Sequence, residues 1–127
     1  MESLICKRAF EFARRTACLC DALASRGFVA QRMARQLFDS ASSVGANAEE
    51  SQAAQTKADF AAKLSIARKE SRENRYWLRL LVATGKASDA EVAWALKESG
   101  ELIAMLTVAV RTAQATPNRG RRQPLSP

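Results

Sequence analysis

The sequence predicts an all-α fold, an up-down-up-down four-helix bundle, from three observations. Apolar residues recur at spacings of three and four along nearly the whole chain. Glycine (5) and proline (3) are scarce among the 127 residues, which argues against an all-β fold. Hydrophobic residues make up 47% and charged residues 26%, a balance typical of a chain that folds. The length fits one domain, which we expect at 1–116, with a disordered basic tail at 117–127.

The first two helices are predicted over about 4–25 and 29–50, separated by Gly27, which acts as a helix stop. Gly45 lies inside the second helix and indicates either a close approach of a neighbouring helix or a local bend. The inward face of the first helix is predicted to carry Ile5, Ala9, Phe12, Ala13, Thr16, Leu19, Cys20 and Leu23. That of the second is predicted to carry Met33, Leu37, Ser40, Ala41, Val44 and Ala48.

The third helix is the longest, over about 56–84, and Gly85 closes it. The fourth begins at Ser88, whose spacing to Glu91 is that of a capping box, and it ends before Pro117. The predicted core row of the third helix is Phe60, Leu64, Ala67, Ser71, Asn74, Leu78 and Leu81. The predicted row of the fourth is Val92, Leu96, Ser99, Ile103, Leu106, Val110 and Ala113.

Several classes of function are excluded or disfavoured by composition. Histidine is absent, so catalytic triads, Cys-His dyads and His-ligated zinc are excluded. The cysteine number, three, is odd, and Cys18 and Cys20 diverge on a helix, so we expect three buried or partly buried thiols in a reducing compartment. No metal cluster or phosphate-binding glycine loop is present in the sequence. We therefore expect a cytoplasmic protein that is not an enzyme, with no cofactor and no membrane partner.

The net charge of +7 favours a polyanionic partner such as RNA or DNA. Four arginines at spacings of four, three and four share one edge of the third helix: Arg68, Arg72, Arg75 and Arg79. Such a row suits the phosphate backbone without reading base sequence. The alternative is a solvated face, or salt bridges between subunits to Glu70 and Glu73. Further cations lie on the first helix, at Lys7, Arg8, Arg14 and Arg15.

The third helix also carries a second apolar row, formed by Ile66, Trp77 and Leu80. An exposed row of this kind indicates an oligomer interface, and the alternative is that Trp77 covers the edge of the bundle core. Glu70 and Glu73 share this side of the helix. Paired carboxylates suit acid–base chemistry, but ion pairing with the lysines and arginines nearby on the helix is the simpler interpretation.

A run in the second helix resembles a known family signature. Gln36-Leu37 followed by SVGANAEE at 43–50 resembles the pattern of the four-helix-bundle family named for 23S rRNA intervening-sequence proteins. In that family a Gln-Leu leads to Ser-Ile-Pro-x-Asn-Ile-x-Glu-Gly, so Gly45 replaces the proline and Ser51 the glycine. Downstream matches extend the resemblance to about 36–81 and lie at 59–60, 63–64, 67, 69–71 and 76–78.

The resemblance implies a fold and an assembly but no activity. It implies a four-helix bundle that forms a ring-shaped homopentamer and supplies no catalytic motif. A related branch resembles the accessory variability protein of diversity-generating retroelements, a basic pentamer that binds a reverse transcriptase and nucleic acid. Asn47 and Glu50 fall on the matched signature. We expect Asn47 to form buried or semi-buried hydrogen bonds and Glu50 to pair with a basic residue or a helix end.

Two functional hypotheses follow from these observations. The first is a non-enzymatic, oligomeric bundle that binds nucleic acid through its basic helix faces. The second is a structural or adaptor protein whose partner is another protein, such as a reverse transcriptase.

Overall fold

Four helices make up the part of the chain that this computed structural model describes, residues 3–115 of 127. They are α1 (Leu4–Ala24), α2 (Phe28–Gln52), α3 (Lys57–Ala83) and α4 (Asp89–Ala115). Residues 3–115 contain no strand, and the predicted all-α class is confirmed. The tail predicted at 117–127 lies outside the described residues.

Side-chain caps define where the helices begin. Ser3 and Thr56 each accept a hydrogen bond from the backbone N–H three residues later, at 3.2 and 3.0 Å. The predicted capping box is confirmed, since the Glu91 N–H donates to Ser88 Oγ at 3.2 Å and the Ser88 N–H donates to Glu91 Oε1 at 2.9 Å. These bonds satisfy N–H groups that have no partner within the helix.

Two glycines end helices as predicted. Gly27 has a φ of 112° between α1 and α2, and Gly85 has a φ of 72° after α3. L-residues with a Cβ rarely adopt this region, so glycine allows the chain to reverse within a few residues. Short connections then force consecutive helices to pack side by side.

The helices alternate in direction. The Cys6 thiol donates to the Ala48 carbonyl at 3.4 Å, and the Cys20 thiol donates to the Ala34 carbonyl at 3.3 Å. The start of α1 therefore faces the end of α2, and the reverse holds at the other end. α4 closes the bundle against α1, in the least extensive of the four helix contacts. This order confirms the predicted up-down-up-down topology.

The core agrees with the predicted rows in α1, α2 and α3. Every predicted inward position of α2 is buried. In α1, Ile5 and Leu19 lie at the edge of the core, and Phe60 does so in α3. The largest fully buried side chains of the first three helices are Phe12, Leu23, Leu37, Val44, Leu64, Leu78 and Leu81.

The predicted core row of α4 is partly wrong. Val92, Ser99 and Leu106 are buried as expected, but Ala95 and Leu102 are buried where Leu96 and Ile103 were predicted. Apolar residues surround much of this helix, so their periodicity alone does not define the side that faces the core.

The expectation for the cysteines is correct for two of the three. Cys6 and Cys20 are buried, whereas Cys18 is exposed. Burial raises the pKa of Cys20 to about 12, with a smaller contribution from Asp21, so this thiol stays protonated at neutral pH.

Gly45 lies where α1 and α2 approach closely, and a methyl group fits there. An added Cβ would lie 3.5 Å from the Ala9 carbonyl oxygen, an ordinary van der Waals distance. We expect Gly45→Ala to raise the free energy of unfolding by about 0.5–1 kcal/mol, because alanine is the better helix former. Urea denaturation followed by circular dichroism measures the change.

Gly45→Val is the matched comparison, because its two γ-methyl groups extend beyond the Cβ towards the α1 backbone. We expect Gly45→Val to lack the stabilisation expected of Gly45→Ala and to lower the free energy of unfolding below that of the wild type. Equal stability of the two variants would contradict the close approach.

The Glu91 carboxylate predicts a defined pH dependence. Arg26, at 2.6 Å, and then the Ser88 N–H lower the pKa of Glu91 from 4.5 to about 2. A carboxyl group with a lowered folded-state pKa stabilises the fold above its unfolded pKa, and this contribution disappears as the pH falls. We expect Glu91→Gln to lower the melting temperature at pH 7, with the difference from wild type shrinking between about pH 4.5 and about pH 2.

Thermal melts across this pH range measure the effect, and Glu49→Gln, at an exposed position on α2, is the control. A deficit that stays constant down to pH 2 would show that the Glu91 charge is not the cause.

Candidate nucleic-acid interface

The four arginines predicted to bind phosphate form a row on the flank of α3 that faces α4. Their spacing places the Cα–Cβ directions within about 60° of one another and spreads them over about 16 Å of helix. Arg75 fixes the direction of the row, because its Nη1 donates to the Leu96 carbonyl and, at 3.2 Å, to Ser99 Oγ on α4. The arginine row therefore borders the groove between α3 and α4.

Arg75 itself forms hydrogen bonds within its own chain. Its guanidinium is half-buried and lies over Gly100, where an added Cβ would be 3.2 Å from Nη1. The two bonds to α4 hold the middle of α3 and α4 together. Of the four predicted phosphate ligands, Arg75 is thus the one whose first role is in packing.

The other three arginines of the row have no acidic partner among residues 3–115. Arg72 and Arg79 are exposed, and Arg68 is half-buried with its Nε buried and without a hydrogen bond in this part of the chain. Arg8 and Arg26, by contrast, contact carboxylates at distances between 2.5 and 2.9 Å. Elsewhere in residues 3–115, Arg32, Arg35 and Arg111 also lack a carboxylate partner, but they do not form a row. The difference leaves an uncompensated positive flank on α3.

The positions of the carboxylates explain why the row stays unpaired. Glu98 and Glu101, in the middle of α4, both accept hydrogen bonds from Arg8 on α1. The opposite flank of α4, which faces α3, follows Leu96, Gly100 and Ile103, and its acidic residue is Asp89, in the first turn of the helix. Beside the middle of the arginine row, this flank of α4 therefore offers no carboxylate.

The expected ion pairs of Glu70 and Glu73 are not formed within the described chain. Both carboxylates lie on the α2 side of α3, away from the arginine row. Glu73 instead accepts a hydrogen bond from Trp77 Nε1 at 3.2 Å. Partial burial, and secondly the charge of Glu73, raise the pKa of Glu70. Glu70 is therefore a half-buried carboxylate without a salt bridge to residues 3–115, and the charge of the adjacent Lys69 only partly opposes the rise in its pKa.

The second apolar row of α3 is divided between core and surface. Trp77 and Leu80 pack partly buried against the core, as in the alternative interpretation of Trp77, whereas Ile66 is 39% exposed. Tyr76 is half-exposed and meets the Trp77 ring edge-on, with centroids 5.1 Å apart. Ile66 is therefore the member of this row that offers free apolar surface.

The signature residues Asn47 and Glu50 behave differently from each other. Asn47 Nδ2 donates to the Ser43 carbonyl at 2.9 Å and to Ser43 Oγ at 3.1 Å, and the side chain is half-buried as predicted. Glu50 is exposed and has no ion pair with residues 3–115, so its expected pairing is not found within this part of the chain. The two residues share a helix side, but Glu50 lies further round towards solvent.

Sequence reasoning missed a cleft between α1 and α4. The Arg15 guanidinium lies over the Trp94 ring, 4.2 Å from its centroid, and Trp94 in turn packs against Phe12. The basic residues of α1 were recognisable from the sequence. Their contact partners were not, because the carboxylate and the tryptophan that Arg8 and Arg15 contact lie about 80 to 90 residues later in the chain. Arg14 differs, since it pairs with the nearby Glu11.

The described helices do not include one that combines the length and the apolar character needed to cross a membrane. Within residues 3–115, no three potential metal-ligating side chains cluster together.

Comparison with known proteins gives the relationship of this chain. A crystal structure of a protein of unknown function from the S23 ribosomal protein family of Bacteroides thetaiotaomicron VPI-5482 is similar, with a TM-score of 0.79 and 34% sequence identity. The match covers 85% of this chain and 99% of that one. No curated protein matches the chain significantly. The family model described as 23S rRNA-intervening sequence protein matches residues 1–108, which include the signature around Asn47. The chain belongs to the 23S rRNA-intervening sequence protein family.

Proposed function

We propose that this protein is a non-enzymatic bundle that binds the phosphate backbone of RNA or DNA along the groove between α3 and α4. One observation carries the proposal. Arg68, Arg72 and Arg79 share one edge of α3 and have no carboxylate partner among residues 3–115, while Arg8 and Arg15 of α1 are paired with or stacked on side chains of α4. Unpaired guanidinium groups on a common edge are available to phosphate oxygens.

The geometry of the row supports backbone contact more than base recognition. Arg72 and Arg79 are two helical turns apart, about 10 Å, which spans roughly three steps of 3.4 Å along a strand. Guanidinium groups keep their charge at any working pH, so the attraction depends mainly on salt. The net charge of +7 adds long-range attraction to a polyanion. The description of the family, which refers to 23S rRNA, is compatible with an RNA ligand.

We further propose that the protein self-associates through the α2 side of α3, as the homopentamer implied by the family resemblance would require. Two features support this surface. Ile66 exposes an apolar side chain there, and Glu70 is a half-buried carboxylate without a salt bridge to residues 3–115. A second copy of the chain would cover Ile66 and supply a cation to Glu70.

Loss of two arginines tests the phosphate contact. We expect Arg72→Ala with Arg79→Ala to weaken binding to all sequences alike. The slope of log K against log salt should fall by roughly 1.4–1.8, because each phosphate contact contributes about 0.7–0.9. Fluorescence anisotropy with labelled RNA and DNA, measured at several salt concentrations, gives the slopes.

Arg14→Ala with Arg35→Ala removes the same charge from exposed positions on α1 and α2 and should leave most of the slope intact. The α3 double variant could bind as well as the wild type while removal of 117–127 abolishes binding. That outcome would assign the contact to the tail. Absence of binding by the wild-type protein at low salt would favour the adaptor hypothesis.

Self-association is tested at Ile66 rather than at Trp77, because Trp77 also packs on the core. We expect the wild-type protein to have a mass well above 13.9 kDa at micromolar concentration. Ile66→Glu should shift the mass towards the monomer without unfolding the helices, because it places a charge beside Glu70 in an apolar contact. Light scattering gives the mass and circular dichroism the helix content.

The matched control is Val108→Glu on α4, where the side chain is even more exposed, at 64%. A wild-type monomer, or dissociation by Val108→Glu and not by Ile66→Glu, would contradict the assignment.

A further inference from the structure

A second polar site lies on the opposite side of α4 from the arginine row. It is a cleft of about 310 Å³ between α1 and α4, which we call the stacking cleft. Its lining consists of Glu11, Phe12, Arg15, Trp94, Lys97 and Glu98. The volume is at the lower end of the range for small-molecule sites, about 300–1,000 Å³.

The floor of the stacking cleft is a rigid, positively charged platform. Trp94 is held edge-on against the fully buried Phe12, with centroids 6.1 Å apart and an interplanar angle of 65°. Arg15 covers the indole at 4.2 Å. The guanidinium forms no hydrogen bond or ion pair with residues 3–115, so its donors are unused there. A guanidinium stacked on an indole is preorganised to accept another flat π-system.

The charges on the rim distinguish a base from a phosphate as the group that occupies the platform. Glu11 and Glu98 flank it, and each already pairs with a different arginine, Arg14 and Arg8. Two carboxylates beside the platform disfavour a phosphate directly upon it, while their remaining lone pairs accept hydrogen bonds from amino groups on a base edge. Lys97 lies at the rim with its side chain 81% exposed, and its long contact of 4.0 Å with Glu101 leaves donors for a flanking phosphate.

We propose that the stacking cleft takes an unpaired nucleotide of a single strand, with its base stacked on Arg15 and its phosphate near Lys97. This inference rests on the proposed function and adds to it a preference for single-stranded nucleic acid. A base within a duplex is stacked on both sides and does not reach a platform in a cleft. The arginine row contacts phosphates of either form, so the two surfaces contribute separately.

The experiment uses full-length protein with a single-stranded RNA and a duplex of equal length. Arg15→Lys keeps the charge but removes the planar guanidinium. We expect it to weaken single-strand binding roughly 5- to 100-fold, the range for loss of one stacked base. Duplex binding and the salt slope should stay close to those of the wild type. Arg14→Lys, at the neighbouring exposed arginine paired with Glu11, is the matched control and should leave both affinities unchanged.

Tryptophan fluorescence gives a second readout. In a Trp77→Phe background Trp94 is the remaining tryptophan, and we expect single-stranded RNA to quench its emission while duplex RNA does not. Unchanged single-strand binding by Arg15→Lys, or unquenched Trp94 emission at saturation, would overturn the inference. The Arg72 and Arg79 double variant separates the two proposals, because it should weaken both nucleic acids and retain the single-strand preference. Failure of the wild-type protein to bind any nucleic acid at low salt would overturn both.

Discussion

Close approach of the helices is the constraint on which the rest of this structure depends. Many of the buried positions are occupied by alanine or serine, and at the α1–α2 contact Gly45 lies against the backbone of Ala9. A core this narrow holds leucines in layers but has little room for rings. Of the eight aromatic residues, Phe12 alone is fully buried. The others cover the edges of the core or lie on the surface, with Phe10 and Phe28 more than 60% exposed.

The same narrow core limits how buried polar groups are satisfied. The hydroxyl groups of three buried serines donate to carbonyls of their own helices: Ser40, Ser51 and Ser71. Asn74 instead crosses from α3 to α2, where Nδ2 donates to the Leu37 carbonyl at 3.2 Å and to Ser40 Oγ at 3.1 Å. Because an unmade bond in the interior costs about 1–3 kcal/mol, Asn74 favours one register of α3 against α2. Arg75, the next residue, does the same for α4 from the other side of the helix.

Charge is distributed unevenly around the bundle as a result of how α1 and α4 meet. Their contact is the least extensive of the four, and Arg8 and Arg26 bridge it with carboxylates of α4. Those ion pairs use the acidic residues on one side of α4. The α3 side is left basic, and the α1 side keeps a mixed, aromatic cleft around Trp94. Two surfaces with different chemistry therefore border α4, a basic one on its α3 side and a mixed, aromatic one on its α1 side.

The sequence alone determined the number of helices, their ends and the core faces of α1, α2 and α3, because caps, glycine stops and a period of 3.6 residues are local properties of the chain. It also placed the family signature around Asn47. Helix-to-helix packing decided which side of α4 is buried, where Leu102 and not Ile103 faces the core. Packing likewise decided the partner of each charged side chain. Arg75 meets Leu96 and Arg15 meets Trp94 because particular flanks of neighbouring helices face each other, and the periodicity of one helix carries no information about the flank of another.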